Sequence, residues 1–223
     1  MRPLRTPRRG RDAGMTVVEL SVAMLITGIL MAAIGAVTVG TLKAARVVNV
    51  KVSTAADARI GMELVSRTLR TATVPTGATS AVTSATTNAI TFYSQINRST
   101  ALTVSGEIIP TLIEYYYSGG CMIEAQTPAR QVSTGVYAWD TGRTTKCVLR
   151  TTTAPTFAYY TSGSATTALT VPTGGLVLAD RQSVQSVQVS LTATDASNPT
   201  VSGIPMNVRV TLDNVVLKAG GTT

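Results

Sequence analysis

The sequence predicts an α+β protein in which one long N-terminal helix packs on an antiparallel β-rich domain. Three observations carry this. Leu20 to Leu42 is a run of 23 residues without a charge. Beyond it Ala58, Met62, Val65, Leu69 and Ala72 recur at alternating steps of four and three, an apolar stripe of helical period. After Thr73-Val74-Pro75-Thr76-Gly77 the chain turns to Thr, Ser, Ala, Gly and Val with little charge, a mixture that suits short strands and turns.

The helix is expected from about Met15 to about Ala72, since no proline stands between Pro7 and Pro75. At 1.5 Å per residue its uncharged part reaches roughly 34 Å, enough for a hydrocarbon core of about 30 Å. Gly28, Gly35 and Gly40 weaken such a helix in water and permit close helix contact in a bilayer. On another face Arg59, Glu63 and Arg67 lie at i, i+4 spacing and are placed to pair. Thr76 to Asn88 reads as a loop. Strands are expected at Ala89–Ser94, Thr111–Tyr117, Lys146–Thr152, Thr156–Tyr160, Ser183–Thr194 and Met206–Leu217. The chain divides into residues 1–14, a membrane-length helix at 15–42, an amphipathic continuation at 43–75 and a β-rich domain at 76–223.

The net charge of +8 resembles a nucleic-acid signal until it is divided along the chain. Residues 1–14 hold Arg2, Arg5, Arg8, Arg9 and Arg11 against Asp12 alone. A basic flank before an apolar run is what the positive-inside rule keeps in the cytoplasm, so half of the charge is topology. Lys43, Arg46 and Lys51 make the far flank basic too, but the arginine-dense leader outweighs them. The apolar run is too long for a secretory signal core, and the chain after Arg8-Arg9 is too polar for a twin-arginine signal.

Glu19 is the anomaly of the apolar segment. A carboxylate at mid-membrane costs about 2.5–3.5 kcal/mol by insertion scales. At a helix start the cost falls and the dipole favours negative charge. One reading is therefore a tolerated interfacial glutamate. The other is a carboxylate that pairs with a cation from another subunit.

Cys121 and Cys147 are the only cysteines and histidine is absent. In a domain carried across a membrane, two cysteines favour one disulfide, with two free thiols as the alternative. Structural zinc wants four Cys/His ligands, so no metal site is expected. Catalysis by the usual triads is excluded for want of histidine, and Glu107, Glu114, Glu124 and Asp140 have no paired spacing; no enzyme and no cofactor are expected. Gly119-Gly120 and Gly174-Gly175 read as turns. Asp195 with Asn198, or Asp213 with Asn214, offers too few oxygen ligands for calcium. Tyr115, Tyr116, Tyr117, Tyr137, Trp139, Tyr159 and Tyr160, with Arg130, Arg143, Lys146 and Arg150, surround the cysteine loop. They form either a contact surface for DNA or another ligand, or core aromatics beside a solvated face; the latter is the simpler reading.

Gly14-Met15-Thr16-Val17-Val18-Glu19, after a basic leader and before an apolar helix, resembles the processing and assembly motif of type IV prepilins and type II secretion pseudopilins. The resemblance implies that prepilin peptidase cuts between Gly14 and Met15, removing residues 1–14, and that Met15 becomes N-methylated. Glu19 is then fifth in the mature chain, and neutralises the new amine of a neighbouring subunit. The family often has Phe where Met15 stands. Glu63–Ala72, Ile90-Thr91-Phe92-Tyr93, Ile113-Glu114-Tyr115-Tyr116 and Leu149-Arg150 resemble minor subunits of the J or PilW kind. The resemblance implies a minor pilin or pseudopilin that helps to initiate or cap a filament. Its partners are the peptidase, other pilin subunits, an inner-membrane assembly platform and, before assembly, lipid. It also implies a single pass through the cell membrane, leader in the cytoplasm and C-terminal domain outside, before incorporation. The alternative is a tip-located binding module for adhesion or DNA uptake. The tip-most K-type pseudopilin lacks the glutamate, so Glu19 argues against that role.

Overall fold

The structure is a computed structural model that describes residues 15–96, 109–133, 136–195, 198 and 201–215. It has a helix, α1 (Val17–Arg70), followed by a domain of antiparallel strands: an α+β, pilin-like arrangement. The chain divides into two compact units, residues 1–48 and residues 49–223.

In the first unit every described residue is exposed, and the segment is long and apolar enough to cross a membrane. Its hydroxyls are turned inward on the backbone. Thr27 and Thr38 donate to the carbonyls four residues back, Ala23 (2.7 Å) and Ile34 (2.8 Å). Such bonds let polar side chains sit on an apolar helix without an unmet donor.

In the second unit the rest of α1 lies on the sheet. The predicted stripe is the buried one: Ala58, Met62, Val65, Leu69 and the following Ala72. Gly61 completes that face, because a Cβ there would stand 3.0 Å from Val148 O and from Leu149 Cδ1. The helix stops at Arg70, two residues short of expectation. Thr73 N–H donates to Tyr93 O (2.9 Å) and Gln95 N–H to Thr71 O (2.9 Å), so the sheet takes these groups instead.

Strands β1 (Val82–Ala85), β2 (Ile90–Ser94), β3 (Thr111–Ser118), β4 (Cys121–Thr127) and β7 (Thr144–Arg150) form an antiparallel sheet in the order β1-β2-β3-β4-β7. A second sheet has the order β10-β9-β8, with β8 (Thr156–Tyr160), β9 (Ser186–Ala193) and β10 (Ile204–Thr211). A bridge between Thr151 and Ala193 links the two sheets. Between β4 and β7 stands a hairpin of β5 (Arg130–Ser133) and β6 (Val136–Ala138). Ile90, Phe92, Ile113, Tyr115, Met122 and Leu149 of the first sheet and Phe157, Tyr159, Val187, Val189 and Val210 of the second form one buried core with the helix stripe.

Several expectations are corrected here. Thr76–Asn88 contains β1, which carries too little apolar bulk to be read as a strand. It is held by Ser80 Oγ, which donates to Arg181 O (3.1 Å), and by Leu176 N–H, which donates to Ala85 O (2.8 Å). Strand β4 is unpredicted because its inward positions include Glu124 and Gln126, so it lacks an apolar period. The run expected from Ser183 starts at Ser186, because Ser183 closes a short helix, α2 (Leu178–Ser183), which has no buried residue to give it a signature. Strand β7 starts at Thr144 and ends at Arg150, since Thr151 turns to bridge Ala193. Gly119 and Gly120, both at positive φ (56° and 76°), form the two-residue β3–β4 turn, where a side chain on either would be strained.

Candidate assembly site

The start of α1 is a reciprocal cap. Glu19 N–H donates to Thr16 Oγ1 (3.2 Å), while Thr16 N–H and Thr16 Oγ1 donate to Glu19 Oε2 (3.0 and 3.1 Å). This is a capping box, Thr-x-x-Glu, which satisfies amide groups that the first helical turn leaves unpaired. The partnership of Thr16 is absent from the sequence reading above, although its signal, a Thr three residues before a Glu at a helix start, is present. It supplies a local reason for a carboxylate here besides the helix dipole. Glu19 is nevertheless exposed, on a helix whose next charged residue is Lys43. Met15, 68% exposed, sits one residue before the cap. Gly14 and the leader lie outside the described residues.

The other anticipated pair is formed. Cys121 and Cys147 are disulfide-bonded, with Cα atoms 5.6 Å apart, and join β4 to β7. Strand β7 carries Leu149 and Val148 against Gly61 of α1, so the bond holds the strand that seats the helix.

The basic and aromatic residues around this bond do not gather into one free surface. Arg130 pairs with Asp140 (2.7 Å), Arg143 with Glu114 (2.6 Å) and Lys146 with Glu124 (2.9 Å). The Arg130 guanidinium holds the Asp140 carboxyl below the usual range. Tyr115 and Tyr159 are core residues; burial pushes both hydroxyls above the ordinary tyrosine value, with the Glu124 charge adding to the effect at Tyr115. Trp139 packs against Tyr93, with the rings tilted by 52° and their centroids 4.7 Å apart, and donates to Pro110 O (2.8 Å), which fastens the β5–β6 hairpin to the sheet. Tyr160 lies under Arg209, whose guanidinium is 3.6 Å from the ring centroid and donates to Ser162 O and Ala165 O. Asn198 donates to Asp195 (2.9 Å), and no group of three His, Cys, Asp or Glu residues gathers among the described residues. Glu107 lies outside them.

Arg59, Glu63 and Arg67 are exposed, and among the described residues no ion pair joins them, contrary to expectation. Arg preceding Glu by four residues is the weaker orientation on a helix, which accounts for half of this.

The family model for the prokaryotic N-terminal methylation motif matches residues 9–35, a span that covers the leader's end, the cap and the first part of the apolar helix. No curated protein sequence matches the chain. The methylation motif stands at the head of the long apolar helix, ahead of the antiparallel sheet domain. That motif supports the type IV pilin and pseudopilin family for this chain.

Proposed function

We propose that this protein is a minor pilin or pseudopilin, a structural subunit that helps to initiate or cap a filament. Prepilin peptidase removes residues 1–14 at Gly14 and the new N-terminus, Met15, is methylated. Until assembly the subunit spans the inner membrane once, with the sheet domain outside. The assembly platform then draws it from the lipid into the pilus or pseudopilus.

One observation carries this reading: an exposed carboxylate, Glu19, stands inside a methylation motif at the start of a helix that then has no charge up to Leu42. Cleavage leaves a positive amine on Met15. A neighbour's Glu19 neutralises it in a bundle of parallel helices, and the two charges lose their cost together. The internal cap with Thr16 is compatible with this sequence of events, because it stabilises the carboxylate while the subunit is still alone in the bilayer.

The test is Glu19→Val beside Glu19→Ala. Both variants are expected to insert and to be cleaved, and to be incorporated into sheared filaments far less than the parent chain. Incorporation at the parental level would return Glu19 to a helix-capping role only. A tip-located binding module draws less support, since Arg130, Arg143 and Lys146 are each neutralised by a carboxylate of the same domain.

A further inference from the structure

The disulfide between β4 and β7 presents its two sulfurs unequally. Cys121 is buried, 7% exposed, whereas Cys147 is exposed. Successive side chains of a strand leave opposite faces, and Lys146, the residue before Cys147, turns its ammonium to the buried Glu124. The disulfide therefore lies on the face of the sheet turned away from the core and from α1. Cys147 also adjoins a bulge: Ile123 pairs with Cys147 but Met122 pairs with Leu149, which leaves Val148 as an extra residue in β7. Such a residue interrupts the ladder locally, and here it does so beside the exposed sulfur.

Opposite Cys121 in the same ladder stands Arg150, exposed and without an ion pair among the described residues. Residues directly opposite in an antiparallel pair share a face, with Cβ atoms about 5 Å apart. The guanidinium thus has the Cys121 sulfur within its reach. A thiolate attacks a disulfide from behind the sulfur that it joins, and the other sulfur departs with the electron pair. Access therefore selects Cys147 as the sulfur attacked. The cation beside Cys121 stabilises the departing thiolate, and a more stable thiolate departs faster.

We propose that Cys147 is a site of reversible S-thiolation in the folded protein, open to small thiols of the glutathione kind, with Cys121 as the leaving and resolving sulfur. In the forward step a bond forms between the incoming sulfur and Cys147 Sγ. The Cys121–Cys147 bond breaks, and Cys121 is released as a thiolate. Return attack of Cys121 on Cys147 Sγ restores the original bond and expels the thiol. No oxidant or reductant is consumed, because one disulfide replaces another. While the thiol occupies Cys147, no covalent bond ties β7 to β4. Arg150 is a positioning residue that acts through Cys121.

Glutathione offered to the full-length chain in detergent micelles tests this. After quenching with N-ethylmaleimide in denaturant, peptide masses should place glutathione on Cys147 and maleimide on Cys121, severalfold in excess of the reverse pattern. The chain unfolded in urea should carry glutathione on the two cysteines at similar levels. Arg150→Gln should slow adduct formation on the folded chain severalfold, and Arg150→Lys should keep most of the parental rate. In urea, where no strand sits opposite Cys121, all three chains should react alike. Glutathione mainly on Cys121, an even split in the folded chain, or no adduct on a folded chain whose unfolded form reacts readily would overturn the proposal. An Arg150→Gln rate equal to the parent's would remove Arg150 from it.

Discussion

Glu124 is a carboxylate with 1% of its side chain exposed, in the middle of a sheet. Tyr115 Oη donates to its Oε2 (2.7 Å), Lys146 Nζ lies 2.9 Å from its Oε1, and Gln126 donates to the same oxygen. Removing it strands a buried hydroxyl and an ammonium that is 39% exposed. The buried partner sets the cost and the exposed one loses little. Glu124→Ala is expected to lower stability by about 2–3 kcal/mol, read as a fall in denaturation midpoint at unchanged slope. At Gly61 two effects oppose. Alanine favours a helix by roughly 1 kcal/mol over glycine, but its Cβ would meet a backbone oxygen, Val148 O, at 3.0 Å. A backbone atom of a disulfide-held strand gives way poorly, so Gly61→Ala is expected to destabilise by about 1–2 kcal/mol. A higher melting temperature would show that the strand shifts freely. Neither residue could be weighed from the sequence. Glu124 looked like one of several scattered carboxylates and Gly61 carried no signal at all, because their partners lie on strands far away in the chain. Glu19 stood out for the opposite reason: its environment, an uncharged run, is local.

At the level of elements, the helix was legible because its signal is periodic and long, and the five core positions of its stripe are all buried. Strands β2, β3 and β8 were legible for a similar reason, with inward positions filled by Ile, Phe and Tyr. Strands β1 and β4 of the first sheet were not. β1 relies on α2 and the 176 segment to become a strand, and β4 carries polar groups that make sense only with Tyr115 and Lys146 opposite. The cysteines announced a bond, and its place explains its use. It closes a segment with a separation of 26 residues and holds β7 at the edge where α1 is seated. Changing both to serine is expected to cost about 2–4 kcal/mol, and to open the amides of β7 to hydrogen exchange before those of β2 and β3. Uniform loosening would mean that the bond is not specific to that edge. The core tyrosines set an alkaline limit. Their folded-state values are raised above 10.0, so the folded state binds more protons than the unfolded one above that pH. The stability they contribute is full below about pH 10 and is lost as pH climbs towards the raised values. Denaturant midpoints should therefore fall between pH 9 and pH 11 (about one unit either side of the free value), and less steeply in Tyr159→Phe. A flat profile would contradict the buried placement.

Across the whole molecule, charge is organised along the chain. Five arginines precede the apolar run, one carboxylate opens it, and Lys43, Arg46 and Lys51 close it. The sheet domain neutralises three of its own cations with carboxylates. The family match falls on residues 9–35, where the end of the basic leader meets the apolar run. The domain's architecture was readable in outline from composition and alternation, whereas its fine topology depends on long-range pairs such as Thr151 with Ala193. The central claim is that the leader is removed at Gly14 and that the helix then serves assembly. The intact mass of the chain purified from its native membrane or from sheared filaments tests it most directly. The account predicts a chain that begins at Met15 and carries one added methyl group; a mass that retains residues 1–14 would contradict it.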